Sequence, residues 1–168
     1  MRGSSEAERS AVNRNVEISK FSLAAMKISP YNTRQEQYRD EPFKMMVICF
    51  MLNLTSYKQV DKVRFEFFSK FKSPQDIINA RDEDIVSTIK TLGLYNRRTK
   101  IFKRFSSQWI QALKEYGSEN KIPLSELKKM SGVGKYALDS WKIFQLKEYD
   151  INVEDKILKK YLKWKKKN

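Results

Sequence analysis

The stretch 127–141 reads L-K-K-M-S-G-V-G-K-Y-A-L-D-S-W, and N-V-E-D-K follows at residues 152–156. Helical patterns flank Gly132 and Gly134, so the two glycines predict a tight hairpin that joins two short helices. Such a turn can bring backbone N–H groups close to a phosphate, and Lys135 follows it directly. An ordinary helical turn has the same spacing by chance, because short glycine motifs are common.

An isolated pair of acidic residues, Glu154 and Asp155, lies in the lysine-rich C-terminal segment. With Asn152 as the N-cap of the last helix, Asp155 falls at the third helical position, where a carboxylate caps free N–H groups. A carboxylate can also stabilise positive charge on a sugar while an N-glycosidic bond breaks. The local sequence leaves both roles open for Asp155, and the two roles are compatible.

Composition predicts one globular domain with a polyanionic partner. The 168 residues carry 34 Lys and Arg against 20 Asp and Glu, a net charge of +14. Such a surface favours nucleic acid as the partner. No apolar run approaches the ~18 residues of a membrane span, so we expect no membrane association.

The cysteine and histidine counts limit the chemistry that this sequence can carry. Cys49 is the single cysteine and there is no histidine. A disulfide within the chain is excluded, and a reducing compartment is expected. A His/Cys zinc cluster and a histidine-activated nucleophile are excluded as well. We therefore expect no metal and no cofactor, and any chemistry must use carboxylates, Tyr, Lys, Ser or Thr.

The pattern of apolar residues predicts an all-α protein. Residues 45–52 are apolar on all sides, which indicates a central buried helix. Ser73 and Asp82 are predicted N-caps. Apolar residues at helical spacing predict a long helix from about residue 101 to Gly117. Residues 1–28 are polar and are predicted to be a flexible N-terminal segment that includes an expression leader, with the folded domain at residues 29–168.

Five blocks of sequence carry a resemblance to a known family: R-Q-E-Q-Y-R-D-E-P-F-K (34–44), F-M-L-N-L-T-S (50–56), L-G-L-Y-N-R-R-T-K (92–100), S-G-V-G-K-Y-A-L-D-S-W-K-I-F (131–144) and V-E-D-K-I-L-K-K-Y (153–161). They resemble the helix-hairpin-helix DNA glycosylases, in the family's order and over about 130 residues. Within that superfamily the sequence is most similar to the catalytic domain of the mismatch-specific thymine/uracil glycosylases that carry a methyl-CpG-binding domain.

The resemblance implies a fold and an activity. The expected fold has about eight to ten helices in two lobes around a DNA-binding cleft. The expected activity is removal of thymine or uracil mispaired with guanine in double-stranded DNA, after base flipping and within base excision repair. Bifunctional relatives carry a lysine that nicks the strand at the position of Tyr136. The tyrosine therefore implies a monofunctional enzyme that leaves an abasic site.

The resemblance also implies roles for individual residues. Asp155 matches the catalytic aspartate, while Gln35 and Tyr136 match residues of the base pocket. Leu54 and Leu94 match the two loop positions that fill the stack after the base has left. Leu54 departs from the family, because the mammalian enzymes place arginine there. The residues expected to bind the DNA backbone are Gly132, Val133, Gly134, Lys135, Arg97, Arg98 and Lys156.

Two alternatives to this activity stay open at the level of sequence. A non-catalytic helix-hairpin-helix DNA-binding module would need the hairpin and the charge but would have no use for Asp155 and Gln35. A glycosylase for another lesion, such as adenine opposite an oxidised guanine or an alkylated purine, is less favoured. The family's adenine-specific branch carries a four-cysteine iron–sulfur loop, and this sequence has one cysteine. From the resemblance we expect a monomer that acts in the nucleus.

Overall fold

A computed structural model describes residues 28–168, so the segment predicted to be flexible lies, up to residue 27, outside the described residues. Within the described part the chain forms nine α-helices, two short 3-10 helices and no strand. The predicted all-α fold is confirmed. The α-helices are α1 Arg34–Gln37, α2 Pro42–Leu52, α3 Tyr57–Lys70, α4 Pro74–Asn79, α5 Asp82–Ile89, α6 Tyr95–Tyr116, α7 Leu124–Leu127, α8 Lys135–Phe144 and α9 Lys156–Lys167, and the 3-10 helices are Lys90–Leu92 and Glu119–Lys121.

Helix α2 forms the centre of the molecule. Every residue from Met45 to Leu52 is buried, as the apolar run predicted. The helix contacts α1, α3, α6 and α8. Helices α3 to α6 form one group of packed helices, while α1 and α8 contact each other as well as α2. Helix α9 joins the second group, since the rings of Phe144 and Tyr161 lie 4.9 Å apart.

The long helix α6 begins earlier than the apolar pattern predicted. It starts at Tyr95, directly after Leu94, whose backbone is left-handed with φ +49°. It ends where predicted, at Gly117, which is also left-handed with φ +85°. Between these ends, Phe102, Phe105 and Trp109 are fully or almost fully buried and form its core-facing side.

Of the two helix caps predicted for α4 and α5, one is confirmed and the other is wrong. The Ser73 hydroxyl accepts a hydrogen bond from the Asp76 N–H at 3.2 Å, which confirms the predicted cap of α4. Asp82 is not a cap: the N-cap position of α5 is Arg81, and Asp82 is the first helical residue. Carboxylates in a first turn suit the helix dipole without capping.

None of the helices in residues 28–168 is long and apolar enough to cross a bilayer.

Candidate active site

Asp155 is itself the N-cap of α9, which corrects the prediction that Asn152 caps this helix. Its Oδ1 accepts hydrogen bonds from the N–H groups of Ile157 at 2.9 Å and Leu158 at 2.8 Å. Residues 151–155 are not helical, and the carbonyl of Asn152 accepts a hydrogen bond from the Lys135 ammonium at 3.2 Å. The chain becomes helical only after Asp155, whose side chain accepts hydrogen bonds from the first free N–H groups of the helix.

The capping interaction leaves one oxygen of Asp155 available. Both capping hydrogen bonds go to Oδ1, and none of residues 28–168 donates a hydrogen bond to Oδ2. The side chain is half-buried. Two backbone donors thus hold the carboxylate in one orientation, with its second oxygen free for a ligand.

A cavity of about 520 Å³ lies beside Asp155. Its wall comes from three parts of the chain: the loop after α2 with the start of α3, the start of α8, and the start of α9. The lining residues are Leu52, Asn53, Leu54, Thr55, Ser56, Tyr57, Lys58, Tyr136, Asp155 and Ile157. The cavity therefore combines one fixed carboxylate with two aromatic rings.

The two residues predicted to form the base pocket contact each other. Gln35 Nε2 donates hydrogen bonds to Tyr136 Oη at 2.5 Å and to Ser140 Oγ at 3.3 Å. Gln35 has no exposed surface, and its Oε1 is buried without a hydrogen-bond partner among the described residues. Tyr136 lines the cavity and Gln35 does not. A ligand in the cavity can reach the Gln35 amide only if neighbouring side chains, Tyr136 first among them, shift.

Burial dominates the electrostatics of the two tyrosines that line the cavity. Burial, together with the charge of Asp155, raises the pKa of Tyr57 to about 12, although nearby Arg34 acts in the opposite direction. Burial also raises the pKa of Tyr136 further from its ordinary value, again with a contribution from Asp155. Both phenols are therefore neutral near pH 7, and each carries one O–H.

A second cavity, of about 370 Å³, adjoins the first and shares Asn53, Leu54 and Tyr136 with it. The hairpin glycines and Lys135 form one side, and Leu94 with Arg97 forms another. The two loops that carry the predicted wedge residues and the predicted phosphate-binding hairpin therefore surround one surface depression.

Leu54 and Leu94 are both exposed at this depression. Their exposed fractions are 83% and 53%, far above those of the core leucines. Both have left-handed backbones, with φ +61° and +49°. Such a conformation costs about 1–2 kcal/mol for a residue with a Cβ. Both side chains are too exposed to be core residues, so burial in the core is excluded for both.

The predicted hairpin at residues 131–134 is present, and its two glycines differ in role. Gly132 has φ +80°, and a Cβ there would lie 2.5 Å from Cγ2 of Ile101 and 3.3 Å from the ring of Phe50. Gly134 faces open space. Val133, between them, is half-buried against the core. Gly132 is thus required by packing, whereas Gly134 leaves the backbone at the start of α8 open to a ligand.

The start of α8 presents backbone donors. The first N–H groups of a helix have no intrahelical acceptor. Here Gly134 is the N-cap and has no side chain, so these N–H groups are not capped by a side chain either. The ammonium of Lys135 is paired, since it donates to Asp139 at 2.8 Å and to the carbonyl of Asn152 at 3.2 Å. Its side chain therefore ties α8 to the segment before α9, while the backbone N–H groups remain available to an anion.

Arg98 lines part of the second cavity, but it is almost completely buried, which argues against the predicted contact with the DNA backbone. Its guanidinium is buried and donates to the carbonyls of Phe50 at 2.7 Å, Asn53 at 2.9 Å and Gly93 at 3.0 Å. It joins the end of α2 to the loop that carries Leu94. The predicted contacts Arg97 and Lys156 are exposed.

Sequence reasoning missed three residues near the cavity. Tyr57 lines it, and the guanidinium of Arg34 lies 4.5 Å from the centre of the Tyr57 ring. Asp61 accepts two hydrogen bonds from Arg34, at 2.7 and 2.5 Å. The only signal in the sequence was S-Y-K-Q at residues 56–59, which has the pattern of a capping box and predicts a helix start but no partner for the tyrosine.

Residues 47–164 match the HhH-GPD superfamily of base excision DNA repair proteins. The chain belongs to this superfamily. Its fold agrees with the match: a thermostable thymine-DNA glycosylase superposes with a TM-score of 0.59 at 24% identity, over 86% of this chain and 64% of that one. A trapped covalent intermediate of endonuclease III and DNA superposes with a TM-score of 0.58 at 23% identity, over 67% of this chain and 52% of that one.

Similar sequences are found among plant and archaeal proteins. The methyl-CpG-binding domain protein 4-like protein of Arabidopsis thaliana is 34% identical over 116 residues, which is 69% of this chain and 24% of the relative. The thymine/uracil-DNA glycosylase of Pyrobaculum aerophilum is 26% identical over 129 residues, 75% of this chain and 55% of the relative. The chain thus spans from about a quarter to about half of these relatives. The predicted resemblance is confirmed.

Proposed function

We propose that this protein of the base excision repair superfamily is a monofunctional DNA glycosylase that removes thymine or uracil mispaired with guanine. The observation that carries the proposal is the position of Asp155. Its Oδ2 accepts no hydrogen bond from the described residues, and the side chain lines a cavity large enough for a nucleotide. Relatives named thymine-DNA and thymine/uracil-DNA glycosylases support the choice of base.

The chemistry follows from the charge of the carboxylate. Cleavage of the N-glycosidic bond builds positive oxocarbenium character on the deoxyribose, and a nearby carboxylate stabilises that charge and orients water. The N–H groups of Ile157 and Leu158 hold Asp155 in place before substrate arrives. A preorganised charge of this kind needs no rearrangement during the reaction.

Base flipping would use the depression beside the cavity. The exposed Leu54 and Leu94 would enter the stack that the base leaves, as apolar wedges do in other DNA-binding proteins. The free N–H groups at the start of α8 would bind a backbone phosphate. Wedge and anion site then lie on either side of the opening through which the nucleotide enters.

Hydrolysis without strand cleavage is proposed from the lysines near the cavity. Position 136 is a tyrosine, and the ammonium of Lys135 is paired with Asp139 and the Asn152 carbonyl. Lys58 lines the cavity and is exposed. It is the residue that would form a Schiff base if the enzyme proved to nick DNA. Action on double-stranded DNA as a monomer, and location in the nucleus, are part of the proposal.

The test uses end-labelled duplexes with G·T, G·U or a normal A·T pair, with and without hot alkali. We expect strand scission on G·T and G·U only after alkali. Asp155→Asn should lower base release about a hundredfold or more, since loss of a preorganised charge costs several kcal/mol in the transition state. Asparagine caps helices as well as aspartate does, so the variant should fold and bind duplex.

Glu154→Gln is the matched control, because this neighbouring carboxylate is exposed and does not line the cavity. It should retain activity within a few-fold of the wild type. Strand scission before alkali treatment would contradict the monofunctional assignment, and Lys58 would then be the candidate for the Schiff base. Binding without any base release by the wild type would favour a non-catalytic DNA-binding module instead.

A further inference from the structure

Tyr57 is held rigidly at the cavity that contains Asp155. The preceding residue, Ser56, caps α3: its hydroxyl accepts from the Gln59 N–H at 3.2 Å, and Gln59 Oε1 accepts from the Ser56 N–H at 2.9 Å. A reciprocal cap fixes how the chain enters a helix. The backbone of Tyr57 therefore keeps its place beside the cavity in the absence of substrate.

The ring of Tyr57 is supported by an ion-paired guanidinium. Arg34 lies 4.5 Å from the ring centre, within the range of a cation–π contact. Its Nε and Nη2 donate to the two carboxylate oxygens of Asp61 at 2.7 and 2.5 Å, and its Nη1 donates to the carbonyl of Asn32 at 2.5 Å. A bidentate pair of this kind restricts both position and orientation. One face of the ring is thereby covered by a fixed group.

Tyr57 and Tyr136 are, among the described residues, the aromatic side chains that line the Asp155 cavity. Both are uncharged near neutral pH. Enzymes that act on a flipped base hold it between aromatic or apolar side chains in a closely fitting pocket. A second ring opposite or beside Tyr136 is therefore suited to contact with a base.

We propose that Tyr57 is a specificity-determining residue: its ring forms a wall against which the flipped base packs, and it limits the size of the base that the cavity accepts. The proposal rests on the proposed function, since it concerns the same cavity. Arg34 and Asp61 are positioning residues, which act on the base only through the ring that they hold.

The experiment measures binding, so that it does not depend on catalysis. The probes are duplexes in which guanine faces uracil or 5-iodouracil, each on a 2′-fluoroarabino sugar that resists hydrolysis. Tyr57→Ala removes the ring that limits the size of the base, so the ratio of the two Kd values should change by at least about fivefold in favour of 5-iodouracil, a factor on the order of one lost aromatic contact. Tyr57→Phe should keep the wild-type ratio, and Tyr57→Trp should shift it toward uracil.

The positioning residues are tested in the same assay. Asp61→Asn should shift the ratio in the direction of Tyr57→Ala by a smaller factor, and Asp61→Glu should restore it in part. A merely structural effect of Asp61 would weaken binding of both probes equally and would contradict the positioning role. Thermal melting identifies variants that do not fold, and Tyr57→Trp then decides the role of Tyr57.

The outcomes separate this proposal from the proposed function. A Kd ratio unchanged in folded Tyr57→Ala, or in Tyr57→Trp, overturns the role of Tyr57 even where the wild type releases uracil. A ratio that changes as expected supports it even where the wild type releases no base from G·U or G·T duplexes, and in that case only the proposed activity fails.

Discussion

At the scale of single residues, Leu54 and Leu94 carry the clearest mark of function. Leucines seldom occupy left-handed backbone positions, and these two do so while exposed. The cost of such a conformation is retained where the surrounding structure demands it, and such positions cluster at functional sites. Replacement of these side chains should therefore change the rate of base release more than the free energy of unfolding.

We expect Leu94→Ala to slow base release about tenfold on an A·U pair and less on G·U, because a mispaired base needs less help to leave the stack. The free energy of unfolding should change by less than about 0.5 kcal/mol, as is usual at exposed sites. Single-turnover rates and thermal melting measure the two effects. Leu146→Ala, at an exposed leucine that lines neither cavity, is the control. Unchanged rates combined with lower stability would show that Leu94 is a packing residue.

At the scale of elements, the two glycines of the hairpin before α8 differ, because Gly132 is closely packed and Gly134 faces open space. A Cβ at Gly132 would collide with Ile101, and the left-handed backbone adds strain. Gly132→Ala should lower the free energy of unfolding by about 1–3 kcal/mol. Gly134→Ala should lower it by less, about 0.5–1 kcal/mol, because alanine is a poorer N-cap than glycine. It should also weaken duplex binding, because the methyl group would stand between backbone N–H groups and a phosphate. Chemical denaturation and binding titrations distinguish them; equal loss of stability in both would contradict this division.

The neighbouring arginines 97 and 98 provide a second matched pair. Arg98 satisfies carbonyls at the end of α2 and in the Leu94 loop, so Arg98→Ala leaves buried acceptors without donors. We expect a loss of about 2–4 kcal/mol in the free energy of unfolding. Arg97→Ala, at an exposed site, should keep stability and weaken DNA binding. Arg98→Lys should not rescue stability, since an ammonium cannot reproduce the planar fork. A stable Arg98→Ala with weaker binding would restore Arg98 as a DNA contact.

At the scale of the whole molecule, the charge of +14 predicts strong dependence of DNA binding on salt. Each neutralised phosphate contributes a slope of about −0.9 in a plot of log K against log salt concentration. Lys156→Ala, beside Asp155, should make the slope less steep by about one such step. Lys114→Ala should not change it, because Lys114 lies 20 residues along α6 from Leu94, roughly 30 Å away. A slope near zero for the wild type would contradict electrostatic binding altogether.

Stability toward acid should depend on the carboxylate of Asp61. Hydrogen bonds from Arg34 hold the pKa of Asp61 below its ordinary value of 3.8. Its stabilising contribution is therefore present above about pH 4 and is lost as the pH falls through the lower folded value. Asp61→Asn should cost about 1 kcal/mol at pH 7, a figure reduced for partial exposure, and less below pH 3. Asp150→Asn, at an exposed partner of Lys166, should cost little at any pH. Denaturation at several pH values measures both.

The sequence by itself determined the features that depend on local order. Helical periodicity predicted α2 and α6, and the glycine pair predicted the hairpin, because both follow from backbone geometry over a few residues. The same local patterns could not place side chains that meet across the fold. Asp155 and Tyr57 lie about 100 residues apart, and only the tertiary fold brings the starts of α3 and α9 to one cavity.

Tertiary structure also decided which polar side chains are buried and hydrogen-bonded within the protein. Arg97 and Arg98 are equivalent in the sequence, yet one is exposed and the other is buried against carbonyls of α2. Before α9, the Lys135 ammonium of a distant helix donates a hydrogen bond to the carbonyl of Asn152, a long-range contact that the local sequence does not show. A polar group is buried only where distant segments supply its partners, and those partners are assembled by packing of the whole chain.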